Sequence, residues 1–572
     1  MIDPQAETIQ TLLDRLASAR IGRRRFLELL ASVGLSASLG SAAYETAAAA
    51  EANQRTQRRA LRAEYDYLIV GAGAAGCVIA AALAATGAEV LLLEAGGDDE
   101  IPQVQTPGLW FTNIGGPLDW RFTAAADAAV AGRQVPIAMG HVLGGGTSIN
   151  AMLWVRGIAA DFDHWAAGGC PGWAFQDLLP IFKRLEDWEG GANEWRGAGG
   201  PIPIRTAHDP HPTAKAFIDA CRQMRMPILR DVNGPMREGA GYVNMTIAPD
   251  GSRANAARCF LRPSLVRPNL TLLLNESVTE LRFKGTRCTG IRTLHGGMAR
   301  EFHCAREVIV TAGGLGSAKL LMLSGVGNAD DLRALGIAPV VDLKGVGQNF
   351  QDHPLLCGVV FKYKGAMPPR AMTSNAVEAA AYLRSSGAVP SPDIKMVLQQ
   401  LPLVTPEIKA RYPLVMDDAF TISPALVRPS SRGTLQLVSA NWQDHALLHA
   451  NFLSTDDDVN ATIKCIEMSR ELGAQAGFNE VRDSELIPGR SLAKAELQHF
   501  ARLATISFGH PVGTCKMGVD EAAVVDPTLK VHGVQGLRVA DSSVMPHIIT
   551  GPTSAPTHVI AAKAADLIAG AR

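Results

Sequence analysis

The sequence predicts an α/β protein (α+β overall), with a doubly wound parallel sheet in one domain and an antiparallel sheet flanked by helices in a second. Two strand–glycine loop–helix units, in residues 65–97 and 307–327, are typical of doubly wound domains. Residues 429–453 instead alternate apolar and polar positions, as strands of a half-covered antiparallel sheet do. Because the two glycine-rich units lie far apart in the chain, we expect the first domain to be assembled from separated segments.

The overall composition narrows the class of protein. The chain has 572 residues, 47% of them hydrophobic, and a formal net charge of −1, which is typical of an ordinary globular protein and gives no basis for nucleic-acid binding. The nine cysteines are scattered without C-x-x-C pairs or Cys/His ligand spacing, so neither a metal site nor a disulfide framework is indicated. The body of the chain has no run of 18 uncharged apolar residues, so we expect no transmembrane segment there.

The first fifty residues differ in kind from the rest. Arg20 and the cluster 23–25 precede Phe26-Leu27, a mildly apolar stretch and an alanine-rich exit, which is the layout of a secretion signal. The R-R-x-F-L order indicates a twin-arginine signal in residues 1–50, and hence a periplasmic protein, with residues 51–64 as a linker. Glu28 within the apolar run favours the alternative, a cytoplasmic protein that begins with a basic helix.

Residues 65–97, YDYLIVGAGAAGCVIAAALAATGAEVLLLEAGG, contain the clearest local pattern. Gly71, Gly73 and Gly76 form G-x-G-x-x-G between an apolar strand and a small-residue helix. Glu94 ends the next strand, 23 positions after Gly71. In this context the glycines let the backbone approach a pyrophosphate at the helix N-terminus, and the carboxylate accepts hydrogen bonds from a ribose. The pattern predicts a Rossmann-like dinucleotide site but does not distinguish FAD from NAD.

Further segments distinguish FAD from NAD, because they resemble those of a known family. They follow in a fixed order: GHVLGGGTSINAMLWVRG (140–157), EVIVTAGGLGSAKLLMLSGVG (307–327), GVGQNFQDHP (345–354), SFGHPVGTCKMG (507–518) and GLRVADSSVMP (536–546). Together with the first glycine loop they resemble the glucose–methanol–choline (GMC) oxidoreductase family, in particular its choline-dehydrogenase-like bacterial members. The resemblance runs from residue 65 to about 570 and implies FAD as the cofactor. It implies a mainly FAD-binding region (65–350), part of a substrate domain (351–428) and a C-terminal region with substrate-domain sheet and catalytic histidine (429–568).

The resemblance also implies which residues contact FAD. The ADP half would be held by Gly71, Gly73, Ala74, Ala75, Gly76, Glu94 and Ala95, and the adenine by the backbone of Val278. The pyrophosphate, ribityl chain and isoalloxazine would lie along Gly144, Gly145, Asn150, Asp541 and Ser542. Ile149 stands where covalent-flavin members have a histidine, so we expect non-covalent FAD.

His510, in the segment SFGHPVGTCKMG, is the candidate acid/base. Oxidation of an alcohol requires a group that takes the hydroxyl proton while the carbinol C–H leaves as hydride, and histidine has a pKa near the working pH. The resemblance implies that His510 faces the flavin N5. The residues alone also allow a buried histidine satisfied by backbone hydrogen bonds.

The family's second polar group is missing from its usual place. Pro552 occupies the position of an Asn or His, and proline offers no side-chain donor or acceptor. Thr553 is the preferred substitute, with Ser554, His547 and His558 as neighbours. Two readings stay open: alcohol oxidation with electrons passed to a quinone or cytochrome or, in an oxidase, to O₂; or non-oxidative chemistry of the lyase or photodecarboxylase kind.

Overall fold

The computed structural model describes residues 37–235, 238–412 and 418–570. The expected twin-arginine motif lies outside these residues, so export remains a prediction. No helix in the described ranges combines the length and apolar character needed to cross a bilayer. The α-helices are α1 Ala37–Arg59, α2 Ala74–Ala85, α3 Pro102–Gln105, α4 Gly146–Ile149, α5 Ala159–Ala167, α6 Phe175–Leu185, α7 Pro212–Gln223, α8 Arg262–Ser264, α9 Gly313–Leu323, α10 Ala329–Ala334, α11 Pro406–Arg411, α12 Asp456–Ala474, α13 Lys494–Ala504 and α14 Ser554–Gly570.

The described residues also form 23 strands. They are β1 Glu64–Val70, β2 Val90–Leu93, β3 Phe122–Asp127, β4 Arg133–Ile137, β5 Glu186–Trp188, β6 Ile202–Ile204, β7 Gly239–Tyr242, β8 Leu270–Leu273, β9 Ser277–Lys284, β10 Arg287–His295, β11 Met298–Val310, β12 Val326–Gly327, β13 Val341–Asp342, β14 Pro354–Leu356, β15 Val360–Tyr363, β16 Ala379–Leu383, β17 Ile394–Gln399, β18 Ala419–Leu426, β19 Thr434–Gln436, β20 Leu447–His449, β21 Arg482–Ile487, β22 Thr505–Ser507 and β23 Leu537–Val539.

A seven-stranded sheet carries the predicted doubly wound domain. Its order is β8-β2-β1-β11-β10-β9, and β23 pairs with the C-terminal end of β11. Strands β8, β2, β1, β11 and β23 are parallel, whereas β10 and β9 are antiparallel. The parallel strands come from four separate parts of the sequence, which confirms the expected assembly from distant segments. Their carboxyl ends meet at one edge, the place where open α/β sheets bind ligands.

An eight-stranded antiparallel sheet forms the second domain, in the order β21-β15-β18-β17-β16-β7 with β14 joining β18 to β22. Side chains alternate between its two faces. Ile394 and Met396 of β17 pack in a core with Phe217 of α7, whereas Val397 packs with Met152 near the first domain. We call the side of Val397 the inner face.

Residues 429–453 do form strands, but not in the sheet expected for them. Strands β19 and β20 pair with each other and β20 pairs with β3, in a four-stranded sheet with β4. Leu435 and Leu448 are buried in the core of the nucleotide domain. Alternation identifies a half-buried strand but does not specify its partner, because many sheets expose the same kind of apolar face.

The segment 51–64, expected as a linker, is helical as far as Arg59. Gln54 is buried, and its side-chain amide donates to the Leu270 carbonyl (2.8 Å) and accepts from the Leu272 amide (2.9 Å). Both partners lie on β8, the edge strand of the parallel sheet. Helix α1 therefore covers backbone donors and acceptors of the edge strand that would otherwise be exposed.

Candidate active site

The loop after β1 is too tightly packed for side chains. A Cβ on Gly76 would lie 2.0 Å from the Gly71 carbonyl oxygen, so helix α2 packs directly on the turn. Gly71 has φ +98°, and a Cβ there would lie 2.7 Å from the Thr311 carbonyl oxygen. The Thr311 hydroxyl donates to the Gly71 carbonyl at 2.7 Å, which ties the loop to the end of β11. Two of the predicted glycines are thus required by close packing.

The second glycine loop closes against the first. The Gly144 amide donates to the Ala72 carbonyl (2.8 Å), and a Cβ on Gly145 would lie 2.8 Å from the Gly73 Cα. A Cβ on Gly146, by contrast, would have no neighbour within 4 Å in the described chain. Five residues at or near these loops stay half-buried, and we refer to them together as the nucleotide groove: Gly73, Ala74, Ala95, Asn150 and Ser542.

The start of α2 fits a pyrophosphate in this groove. Gly73 is its N-cap and provides no side-chain hydrogen bond to the first turn. The first backbone N–H groups of a helix have no intrahelical partner and favour anions. Ala75, in that first turn, is itself buried. The predicted pyrophosphate site is therefore formed by backbone, and its cradle is open on the side of Gly146.

Glu94 is the predicted ribose ligand. Its two carboxylate oxygens accept from the amides of Ala72 (2.9 Å) and Gly96 (2.8 Å), and burial raises its pKa to about 7. Each oxygen keeps acceptor capacity for a ribose hydroxyl. The Glu94 carbonyl accepts from the Glu276 amide, which brings β9 and half-buried Val278 near Glu94. The structure thus fits the adenosine half of FAD.

Asp541 and Ser542 follow β23 and join two loops. The Asp541 carboxylate accepts from the Gly313 amide (2.8 Å), the Ser317 hydroxyl and the Ser543 amide (2.8 Å), so both of its oxygens bond within the protein. The Ser542 hydroxyl donates to the Pro511 carbonyl at 3.1 Å. Asp541 therefore fixes backbone geometry, and Ser542 ties the groove to the residue after His510.

Asn150 is held by a buried arginine that no sequence pattern indicated. The Arg253 guanidinium is fully buried and its Nη1 donates to the carbonyl (2.7 Å) and side-chain oxygen (2.9 Å) of Asn150. The same nitrogen donates to the Thr147 carbonyl at 3.0 Å. Arg253 thus fixes the end of the second glycine loop; its distance from that loop in sequence explains why only the structure reveals it.

The short ladder between β14 and β22 brings two histidines together. Pro354 pairs with Ser507, and the Phe508 amide donates to the His353 carbonyl at 3.0 Å. Gly509 then adopts φ +77°. The His510 ring consequently meets the His353 ring, with 2.9 Å between their Nδ1 atoms and a centroid separation of 5.1 Å.

The partners of His353 determine its tautomer and that of His510. His353 Nε2 lies 3.0 Å from the Ile549 carbonyl oxygen, which only accepts, so Nε2 carries the proton. In neutral His353 the Nδ1 is then an acceptor, and His510 Nδ1 must donate to it. Burial, His353 and Lys395 hold the pKa of His510 well below its usual value, so its ring is neutral. Neutral His510 protonated at Nδ1 has an unprotonated Nε2.

A buried carboxylate supports both histidines. Asp352 accepts from the backbone amides of His353 (2.7 Å) and His510 (3.0 Å) and from the Ser507 hydroxyl. Burial raises its pKa to about 7. The sequence contained a signal for this pairing: both histidines directly precede a proline, in QDHP and FGHP, at the ends of short strands.

The candidates for the second polar group, around Pro552, have partners other than His510 among the described residues. Thr553 directly precedes α14, where its carbonyl accepts from the amide and hydroxyl of Thr557, and no described hydrogen bond joins it to His510. His558 bonds the Ser554 carbonyl (2.8 Å), and the His547 ring lies 4.4 Å from that of His164. A catalytic role for Thr553 stays a prediction, whereas His353 makes the direct contact.

A glycine-loop site for a dinucleotide, tied through Ser542 and Pro511 to a neutral imidazole, is the arrangement expected of a nucleotide-dependent oxidoreductase. The chain belongs to the GMC oxidoreductase family: the family's N-terminal model matches residues 65–355 and its C-terminal model matches 429–561. The protein is thus an oxidoreductase and its cofactor is FAD, which confirms both predictions.

Curated relatives and solved structures agree with this placement. Human mitochondrial choline dehydrogenase is 37% identical over 542 residues, covering 89% of this chain and 90% of its own. The oxygen-dependent choline dehydrogenase of Brucella suis is 36% identical over 539 residues, covering 89% and 96%. The structure of pyridoxine 4-oxidase from Mesorbium loti superposes with a TM-score of 0.84 at 31% identity, covering 88% of this chain and 98% of that one. A variant formate oxidase of Aspergillus oryzae gives 0.81 at 26% identity, covering 89% and 99%.

Proposed function

We propose that the protein oxidises the CH–OH group of an alcohol to an aldehyde or ketone, with His510 as acid/base. The supporting observation is the tautomer that the Ile549 carbonyl imposes through His353: it leaves the Nε2 of His510 free to accept a proton. A base that is neutral at working pH and held in one orientation suits removal of a hydroxyl proton.

Each part of the site has a separate role in the proposed reaction. Bound FAD supplies the two-electron acceptor for the hydride, at N5 of its ring system. His510 Nε2 takes the hydroxyl proton, and the C–O bond becomes a carbonyl as the hydride leaves carbon. His353 holds His510 in orientation by accepting from its Nδ1–H. Asp352 fixes the backbone beneath both rings.

Ile149 supports non-covalent binding of the cofactor. This residue of the second glycine loop is buried and has no nucleophilic atom to bond to the flavin. FAD would then be retained by the backbone groove and Glu94. Precipitation of the protein with acid should release all of the yellow chromophore into the supernatant, and colour retained in the pellet would contradict this assignment.

Anaerobic reduction of the bound flavin tests the proposed reaction. The purified protein is mixed with a panel of primary and secondary alcohols, choline included since two relatives carry its name, and bleaching of the flavin band is followed. We expect at least one alcohol to bleach the flavin and yield its carbonyl product stoichiometrically. If no alcohol does so, non-oxidative chemistry, the alternative raised by Pro552, becomes the better proposal.

We propose further that the electrons pass to a quinone or cytochrome, and that the protein works in the periplasm. The support is the twin-arginine pattern of the sequence, since such signals export proteins already folded around a cofactor. Stopped-flow mixing of the reduced protein with O₂ and with a soluble quinone tests the acceptor. Reoxidation by O₂ as fast as turnover would identify an oxidase instead.

A further inference from the structure

Lys395 is a buried cation that the proposed reaction does not use. It lies on β17, between Ile394 and Met396, whose side chains pack on the helix-covered face of the sheet. Lys395 therefore points to the inner face, toward the first domain. Its side chain is fully buried, and no described atom accepts a hydrogen bond from its ammonium group.

Aromatic rings and histidines surround this ammonium. Its Nζ lies 5.5 Å from the ring centroid of Tyr382 and 5.7 Å from that of Phe508. Phe508 in turn lies against His510, with 4.6 Å between ring centroids. The charge of Lys395 acts on both His353 and His510, so the three groups share one region. The Phe508 ring thus contacts both the ammonium of Lys395 and the ring of the proposed base, His510.

Nothing described in the protein compensates this charge. Ring faces attract a cation but offer it no hydrogen-bond acceptor, and both histidines are neutral or positive. Burial lowers the pKa of Lys395 to about 7, and no neighbouring carboxylate opposes that effect. An uncompensated buried ammonium destabilises a fold, and such groups usually have a partner in function.

We propose that Lys395 binds a carboxylate of the substrate, so that the alcohol oxidised is a hydroxy acid. The inference rests on the proposed alcohol oxidation and deepens it. A substrate whose carbinol faces His510 and whose carboxylate passes Phe508 would supply both the negative charge and the hydrogen-bond acceptors that the ammonium lacks among the described residues. The same charge repels a quaternary ammonium, so choline would be a poor substrate despite the names of the relatives.

Matched substrates test the charge directly. Flavin reduction is measured anaerobically with ω-hydroxycarboxylates of two to six carbons, with n-alkanols of the same lengths and with choline. We expect a hydroxycarboxylate to exceed its alkanol in reduction rate divided by Kd by about 10- to 100-fold. In Lys395→Met this preference should vanish, and in Lys395→Arg it should partly remain.

A binding measurement separates this proposal from the proposed function. Saturated n-alkanoates lack the carbinol, and their binding is followed as a perturbation of the flavin absorption band. We expect Kd to rise about 10-fold or more in Lys395→Met. Lys362→Met, at an exposed lysine of β15 in the same sheet, should leave Kd unchanged. If alkanoates bind in a way that depends on Lys395 but no alcohol is oxidised, the anion site is supported and the proposed alcohol oxidation is rejected.

Two results would overturn the proposal. The first is equal Kd for alkanoates in wild-type and Lys395→Met protein, with the variant folded and yellow. The second is choline, or an uncharged alkanol, reducing the flavin better than every hydroxycarboxylate. Folding itself is not expected to obscure the test, because methionine keeps the side-chain length and removes an unpaired charge; the variant should melt no lower than wild type.

Discussion

The nucleotide groove and the histidine pair are built from different atoms. The groove is made of backbone: two glycine loops that touch, the start of α2 and the ends of parallel strands. The pair is made of side chains that β14 and β22 bring together from positions 157 residues apart. A backbone site leaves a local pattern in the sequence, whereas a side-chain site is determined by pairing between distant strands.

The largest effect should come from the backbone site. Gly76→Val places atoms where even a Cβ would lie 2.0 Å from the Gly71 carbonyl, so α2 must move away from the loop. We expect a colourless protein, measured as loss of flavin absorbance relative to absorbance at 280 nm. Gly387→Val, in an exposed turn where a Cβ meets nothing within 4 Å, should stay yellow. Full flavin content in the Gly76 variant would show that this packing is not needed for the cofactor.

The next effect belongs to the side-chain site alone. His510→Ala removes the proposed base but leaves the glycine loops intact, so flavin content should equal that of wild type. The rate of flavin reduction by a working alcohol should fall by about 10²–10⁴-fold. A loss below about tenfold would reject general-base catalysis by this residue.

His353→Leu tests whether the second histidine positions the first. The variant has no side-chain donor or acceptor to connect the Ile549 carbonyl to His510 Nδ1, so His510 is free to adopt either tautomer. We expect the flavin-reduction rate to fall by about 10–100-fold, with a smaller change in substrate Kd. His558→Leu, at a buried histidine bonded to a carbonyl elsewhere, is the matched control and should keep the wild-type rate. Equal losses in both variants would indicate a merely structural role.

The smallest effect should appear in the pH profile. The active base is neutral and its pKa is held below the usual value, so activity should be constant through neutrality and decline only in acid. Lys395 contributes to that lowering, and Lys395→Met should therefore raise the pKa of His510 and move the acid limb to higher pH. The profile is measured with an uncharged alcohol, because a carboxylate would neutralise Lys395. An unmoved acid limb would mean that the ammonium does not influence the base.

The first glycine loop and Glu94 were predictable because strand, turn and helix follow one another without interruption. The family pattern also located the second glycine loop and His510. The contact between His510 and His353 was not predicted, although the QDHP segment was already part of the recognised pattern. Thr553 as the second polar group stays a prediction. No local periodicity distinguishes a strand histidine that meets a base from one that fills a core.

Arg253 and Lys395 are two residues whose roles could not be predicted from the sequence. One is a buried arginine that anchors a loop over 100 residues away; the other is a lysine in the apolar run of β17. In sequence each is an isolated charge, which is usually exposed. The role of each side chain depends on the sheet, and the face of that sheet, to which it belongs. Alternation alone does not identify the sheet, as the strands of 429–453 show, since they joined an unexpected one.

The contact between Gln54 and the edge strand has a consequence for handling the protein. Shortening the chain to begin at Glu64 would leave the Leu270 carbonyl and Leu272 amide open at the rim of the parallel sheet. A strand from a neighbouring molecule could then add itself there, and truncated preparations should self-associate as their concentration rises. Preparations that keep α1 carry their own protection against that form of aggregation.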